Sequence, residues 1–182
     1  FYQDHLNYYG STLLTTGKNV MDAYLADKAN IFLYQKPEDT LVLGKQCAAT
    51  IIEKFGNAIE SKIVITDELK LPDTWVLSIP GLHNRYNASL ALAVARAMQI
   101  PDEVSRRALE SFAGVPGRLE LIAEKNGVKI YNDTTSTTPE ATNVAITALS
   151  DVGRGTSYII LIMGGTDKGL DMSALIAKLP EM

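Results

Sequence analysis

A helix-like segment between two short apolar runs most constrains the fold of this chain. The runs are Thr40–Gly44 and the β-branched Lys62–Thr66, and residues 46–55 between them are typical of a helix. Short strands that alternate with helices are the usual pattern of α/β units, in which the helix covers the sheet between two strands. The alternation therefore predicts an α/β fold.

Other periodic segments extend this pattern. Helices are predicted over residues 20–33, 84–98, 101–113, 139–149 and 172–179, and strands over 75–79 and 158–163. The apolar density of the 84–98 helix predicts that it is largely buried. Asn126-Gly127 predicts a hairpin between residues 119–123 and 128–131. The second part of the chain, from the hairpin onward, is predicted to have a β, α, β, α order with buried parallel strands.

A segment with two glycines and a proline, Gly114-Val115-Pro116-Gly117, interrupts the periodic pattern. It predicts a domain boundary, with one domain over residues 1–113 and a second over 114–182. The chain begins without Met, and its second part shows only two strands in the alternating pattern. We therefore expect it to be a fragment of a longer protein.

Charge and cysteine content exclude several classes of protein. The 17 Lys and Arg against 21 Asp and Glu give a net charge of -4, which disfavours a nucleic-acid partner. The lone Cys47 cannot form an internal disulfide, which favours a reducing compartment such as the cytoplasm. No apolar run approaches the ~20 residues that span a bilayer, so we expect no membrane partner.

Two polar loops are each predicted to follow a strand. The first, residues 132–140, carries five hydroxyls before a predicted helix, where free N–H groups attract anions. The alternative is that Thr138 only caps the helix, with Pro139 at its first position. The second loop, residues 164–169, combines glycines with Lys168, which could pair with a carboxylate or phosphate. Its alternative is a tight turn with a solvated lysine.

Three further places are candidate sites. Asn84 and Asn87 are three residues apart, so they share one helical face and could present amides to one ligand, unless Asn84 is only a cap. His5 with Lys28 could take part in acid–base or metal chemistry, although a surface loop is the simpler interpretation. Arg118, beside the predicted linker, is either a surface cation or a phosphate contact.

Together these segments occur in the order found in the Mur ligase family, and the chain resembles part of a member of that family. The matching segments are Asp4-His5-Leu6, Tyr24-Leu25-Ala26-Asp27-Lys28, GLHNRYN, FAGVPGRLE, NDTTSTTPEAT and GGTDKGLD. The resemblance implies the later part of a central ATPase domain up to residue 113. The first half of a Rossmann-like carboxy-terminal domain would follow.

The resemblance implies an ATP-dependent ligase of peptidoglycan precursor synthesis. Such an enzyme phosphorylates a carboxylate and lets an amine attack the acyl phosphate. The implied cofactors are ATP and Mg²⁺, and the substrates are UDP-N-acetylmuramoyl-L-alanine and D-glutamate. The full-length protein is expected to be a cytoplasmic monomer. No GxxxxGK[ST] phosphate loop is present, so the chain alone is expected not to catalyse.

The resemblance also assigns roles to eight residues. Carbamoylation would give a lysine a carboxylate that can bridge metal ions. The implied positions are His5 and carbamoylated Lys28 for catalysis and Mg²⁺, Asn84, Asn87, Arg118 and Asp133 for ATP, and Thr137 and Lys168 for the amino acid.

Three positions depart from the family motifs, and two alternatives follow. Asn7 stands where the family has Asp, Gly117 where it has His, and Thr135 where some members have Lys. The nearest alternative is a related ligase that adds another amino acid, such as L-glutamate, or works on folate. The alternative from a different class is a non-catalytic nucleotide-binding module.

Overall fold

The computed structural model describes residues 20–152, 158–166 and 169–181. Short 3-10 turns connect the longer elements, including Glu68–Lys70 before the longest helix. The helices and strands are α1 (Val20–Ala29), β1 (Thr40–Gly44), α2 (Lys45–Phe55), β2 (Lys62–Thr66), α3 (Leu82–Ala97), α4 (Asp102–Ser111), β3 (Glu120–Lys125), β4 (Val128–Asn132), α5 (Pro139–Val152) and α6 (Ser173–Lys178). The predicted α/β fold is confirmed.

β1 and β2 form a two-stranded parallel sheet, and α2 makes the crossover between them. The register runs from Thr40 opposite Lys62 to Gly44 opposite Thr66. A parallel pair needs such a crossover, because a tight turn cannot bring the second strand back in the same direction. The β, α, β unit predicted from the apolar runs is therefore confirmed.

A first apolar core lies between this unit and α1. The Phe32 and Phe55 rings meet edge to face, with centroids 5.7 Å apart, which is a favourable aromatic geometry. The buried members of the core are Ala29, Phe32, Leu41, Leu43, Ala48 and Ile51. The prediction that α1 continues to residue 33 is wrong. The helix ends at Ala29, and a turn follows that buries Phe32 but leaves Ile31 exposed.

A second core packs the segment before α3 against that helix. It contains Leu71, Trp75, Ala88 and Leu92. The prediction that α3 is largely buried is wrong, because the described elements cover only the stripe formed by Ala88, Ser89 and Leu92.

The predicted strand over residues 75–79 is also wrong, because side chains bind the polar backbone groups of this region. Arg85 donates to the carbonyls of Leu71 and Trp75, at 3.1 Å each. The Glu110 carboxylate accepts from the Val76 N–H at 3.2 Å. Buried or partly buried backbone groups need partners, and here helical side chains replace a strand ladder.

β3 and β4 form the predicted hairpin. Asn126 and Gly127 have φ values of 52° and 80°, as a two-residue turn of mirror-image type requires. The strands pair from Glu120 opposite Asn132 to Lys125 opposite Val128, with one register shift near Leu121. The hairpin prediction is therefore confirmed.

The predicted β, α, β, α order with parallel strands in the second part of the chain is wrong. β3 and β4 are antiparallel, and residues 158–163 form no strand. Ile160 and Ile162 are 87% and 91% exposed, so the predicted buried strand is not buried. A strand needs a neighbour that completes its hydrogen bonds, and none of the strands in the described ranges pairs with this segment.

Candidate functional site

The segment that contains Arg118 is a tight turn, here called the Pro-Gly turn (residues 115–118). The Arg118 N–H donates to the Val115 carbonyl at 3.0 Å. Pro116 and Gly117 occupy the two central positions, and Gly117 has a φ of 73°. Proline followed by a residue with positive φ is typical of a type II turn. The turn leaves the Arg118 side chain exposed, and no ion pair of its guanidinium occurs within the described part of the chain.

The loop after β4 binds this turn. It is called here the strand-end loop (residues 133–138). Asp133 Oδ1 accepts from the Leu119 N–H at 2.8 Å. Thr135 donates twice to the Gly117 carbonyl, from its N–H at 2.9 Å and from its hydroxyl at 2.8 Å. These bonds join the segments that contain Asp133 and Arg118 at the end of the hairpin where Glu120 pairs with Asn132.

Most hydroxyls of the strand-end loop form hydrogen bonds within the protein. Thr138 is buried, and its hydroxyl accepts from the Ala141 N–H at 3.4 Å, with Pro139 as the first residue of α5. The interpretation of Thr138 as a helix cap is therefore confirmed. Ser136 Oγ lies 3.0 Å from Thr142 Oγ1. The Thr137 side chain is exposed just before the N-terminus of α5, where a ligand carboxylate could approach.

The head of α3 begins at a glycine. Gly81 is the N-cap and has a φ of 98°, so the alternative that Asn84 caps this helix is wrong. The Asn84 side-chain amide instead donates to the Pro80 carbonyl at 2.7 Å. Asn84 is half-buried and Asn87 is exposed, one turn further along. A Cβ atom on Gly81 would lie 2.7 Å from Ala148 Cβ on α5, so the two helices are in close contact here.

His83 connects the head of α3 electrostatically to the Pro-Gly turn and the strand-end loop. Burial lowers the pKa of the His83 imidazole below its ordinary value of 6.5; the Asp133 carboxylate opposes this shift, and the Arg118 guanidinium adds to it. Both charged groups therefore lie close enough to influence the imidazole. His83, the residue before Asn84, thus lies within electrostatic reach of both Arg118 and Asp133.

The lowered pKa of His83 predicts a pH dependence of stability. The unfolded chain binds a proton at this imidazole near pH 6.5, whereas the folded chain binds it only at lower pH. The stabilisation by neutral His83 is therefore complete above pH 6.5 and is lost as the pH falls through the folded-state pKa. We expect the unfolding temperature to fall more between pH 7.5 and 5.5 in the unsubstituted protein than in His83→Gln.

An NMR titration provides the direct test. The chain has two histidines, so His5→Gln and His83→Gln variants assign the two imidazole signals. A His83 signal that titrates at or above pH 6.5 would contradict the role given to burial.

A cavity of about 300 Å³ lies between α3 and the two C-terminal helices. The Lys178 ammonium on one wall donates to the Asn143 carbonyl at 3.4 Å and to the Thr147 hydroxyl. The residues that line the cavity are Gln46, Glu68, Leu82, His83, Tyr86, Asn143, Val144, Thr147, Ala148 and Lys178. Sequence reasoning gave no role to His83 or Lys178. The available signal was the position of His83 beside Asn84 at a helix head, whereas Lys178 had none.

The remaining predicted site residues are not brought to this group. Lys28 is exposed on α1, with its ammonium 5.6 Å from the centroid of the Tyr24 ring. No described contact joins it to Arg118 or Asp133. His5 and Lys168 lie outside the described residues. Within the described ranges, no group of three or more His, Cys, Asp or Glu side chains could hold a metal ion.

The protein has an α/β fold in which Arg118 on the Pro-Gly turn and Asp133 on the strand-end loop lie within electrostatic reach of His83 at the head of α3. Residues 117–182 match the family model "Mur ligase, glutamate ligase domain". The chain belongs to the Mur ligase family.

Three similar proteins carry the same name, UDP-N-acetylmuramoylalanine–D-glutamate ligase. The protein from Aquifex aeolicus is 34% identical over 183 residues, covering 96% of this chain and 41% of its own length. That from Pelotomaculum thermopropionicum is 33% identical over 202 residues, covering 98% of this chain and 40% of its own. That from Porphyromonas gingivalis is 41% identical over 99 residues, covering 54% and 21%. The chain thus spans about two fifths of the length of the first two relatives.

Proposed function

We propose that the chain is part of an ATP-dependent ligase that adds D-glutamate to UDP-N-acetylmuramoyl-L-alanine. Residues 1–113 would belong to the central ATPase domain, and residues 114–182 to the first part of the carboxy-terminal, Rossmann-like domain. The match to relatives of that name across nearly the whole chain supports this function. The family match that begins at residue 117 supports the division into domains. The observation that carries the proposal is the convergence of Arg118, Asp133 and the head of α3.

The proposed reaction transfers the γ-phosphoryl group of ATP to a substrate carboxylate, and an amine then displaces phosphate to form an amide. Transfer brings two anions together, so positive charge is needed where the phosphates lie. The exposed Arg118 guanidinium would supply it. Asp133 Oδ1 already accepts from Leu119, which leaves Oδ2 to accept a hydrogen bond from a ribose hydroxyl. The amides of Asn84 and Asn87 would contact the adenine.

Mg²⁺ would offset phosphate charge when it is bound. We propose His5 and carbamoylated Lys28 as its ligands, in keeping with the family motifs. The exposed ammonium of Lys28 is accessible to carbamoylation, and without that modification its positive charge would repel the ion. Lys28 lies within the described residues, whereas His5 lies outside them.

The incoming amino acid would bind at the carboxy-terminal part of the chain. We propose that Thr137 and Lys168 hold its carboxylates. The exposure of Thr137 next to the N-terminus of α5 supports an anion there. A related ligase that adds L-glutamate stays the main alternative, and a non-catalytic nucleotide-binding module is the alternative from a different class.

The proposed protein acts in the cytoplasm as a monomer, without a nucleic-acid or membrane partner. None of the helices in the described residues has the length and apolar character needed to cross a membrane.

The test is amino-acid-dependent phosphate release by the complete protein that carries this chain. The assay contains ATP, Mg²⁺ and UDP-N-acetylmuramoyl-L-alanine, with D-glutamate or L-glutamate. We expect release with D-glutamate alone. Release with L-glutamate alone would identify the protein as the related ligase that adds L-glutamate. Binding of ATP without release in either case would favour the nucleotide-binding module.

A further inference from the structure

Hydrogen bonds hold the residues on both sides of Arg118. Before it, the Gly117 carbonyl accepts both the N–H and the hydroxyl of Thr135, at 2.9 and 2.8 Å. After it, the Leu119 N–H donates to Asp133 Oδ1 at 2.8 Å. These three bonds are called here the clasp. Because each neighbour of Arg118 is bonded to the strand-end loop, the clasp determines where Arg118 lies relative to Asp133.

The backbone inside the clasp adopts a conformation that needs support. Leu119 is buried and has a φ of 46°, in the left-handed region that is unfavourable for a residue with a side chain. Such conformations persist where surrounding contacts over-determine them, and they are common at functional sites. The bond from Leu119 to Asp133 is one such contact. The Gly117 N–H, which donates to the Glu120 carboxylate at 2.8 Å, is another.

A side chain at Gly117 would crowd the strand-end loop. A Cβ atom there would lie 3.2 Å from Thr134 Oγ1 and 3.3 Å from Thr135 Cγ2, and φ is positive. Gly117 and Thr135 are two of the positions at which the sequence departs from the family motifs. In this structure they contact each other, so the two departures form one local arrangement.

We propose that Thr135 is a positioning residue, which fixes the backbone of Arg118, and so the base of its side chain, relative to Asp133 by holding the Gly117 carbonyl. This inference rests on the proposed function, in which Arg118 and Asp133 bind different parts of one ATP molecule. The Thr135 hydroxyl bonds to backbone, at the Gly117 carbonyl. Thr135 bonds to the residue before Arg118, and Asp133 bonds to the residue after it.

The test compares Thr135→Val and Thr135→Ser in the complete protein. Valine keeps the shape and the N–H of residue 135 but removes its hydroxyl bond, whereas serine keeps both bonds. We expect Thr135→Val to raise the KM for ATP about tenfold, since small misplacements of a binding group are costly. The KM for the amino acid should change less than twofold, and Thr135→Ser should restore the KM for ATP. Thr74→Val, at an exposed turn position, is the matched control.

A second measurement separates this inference from the proposed function. Amide hydrogen exchange at Leu119 should become about tenfold faster in Thr135→Val and stay unchanged in Thr135→Ser, because the clasp opens more often. If the unsubstituted protein releases no phosphate, the ligase proposal fails, and the exchange rates still report on the clasp. An unchanged KM for ATP in an active Thr135→Val enzyme, or an unchanged exchange rate at Leu119, would overturn the inference.

Discussion

Replacement of Arg118 by alanine is expected to lower kcat/KM for ATP by about 100-fold in the complete protein. Removal of one well-placed group that stabilises developing charge typically costs between about 100-fold and 1,000-fold in rate. Arg118 is exposed and has no ion pair within the described ranges, so its charge is available to a ligand. Steady-state phosphate release at varied ATP concentration measures the effect.

The control for Arg118→Ala removes an arginine elsewhere. Arg107 lies on α4 and, among the residues that the structure describes, forms an ion pair with Glu103 at 4.0 Å, with both side chains exposed. Arg107→Ala is expected to change kcat/KM for ATP less than twofold, because exposed ion pairs of this kind contribute little. Equal losses in the two variants would mean that net charge matters, and that Arg118 has no specific contact with the phosphates.

Replacement of Leu71 by alanine is expected to reduce the free energy of unfolding by about 3 kcal/mol, within the range seen when leucine is deleted from a core. Leu71 is 1% exposed and packs with Trp75, Ala88 and Leu92. The truncated side chain would leave a cavity that the helix α3 cannot easily fill. Urea unfolding followed by the fluorescence of Trp75, the only tryptophan of this sequence, measures the change locally.

Leu69 is a close control for Leu71. It lies two residues earlier in the chain, and its side chain is 81% exposed. Leu69→Ala is expected to change the free energy of unfolding by less than about 0.5 kcal/mol, as surface substitutions usually do. A loss at Leu69 as large as that at Leu71 would show that the second core is not packed as described.

Local sequence patterns predicted the elements that depend on near neighbours. The β1, α2, β2 unit follows from apolar runs on both sides of a helical segment, and the hairpin follows from Asn126-Gly127. Each of these signals lies within the element that it specifies. The predicted strand over residues 75–79 failed for the opposite reason: the groups that bind its backbone region come from Arg85 and Glu110, on two separate helices.

The candidate site, like the fold, was only partly predictable from local sequence patterns. Arg118 follows a Pro-Gly pair and Asp133 follows a predicted strand, but it was the resemblance to the Mur ligase family that gave these two residues their roles. The clasp had no local signal, since Thr135 and Gly117 are 18 positions apart. The left-handed backbone of Leu119 was also hidden, because leucine is not a residue that predicts positive φ. Sequence patterns thus named the charged groups, but the contacts that orient them required the fold.

Gly81 determines how near α3 and α5 approach each other. Even a methyl group at this position would lie 2.7 Å from Ala148 Cβ and 2.7 Å from the His83 ring, so it would act as a wedge between the helices. Those helices form facing walls of the same cavity. The width of the cavity therefore depends on the absence of a side chain at residue 81. A larger residue at position 81 would therefore change the distance between α3 and α5 without replacing any charged side chain.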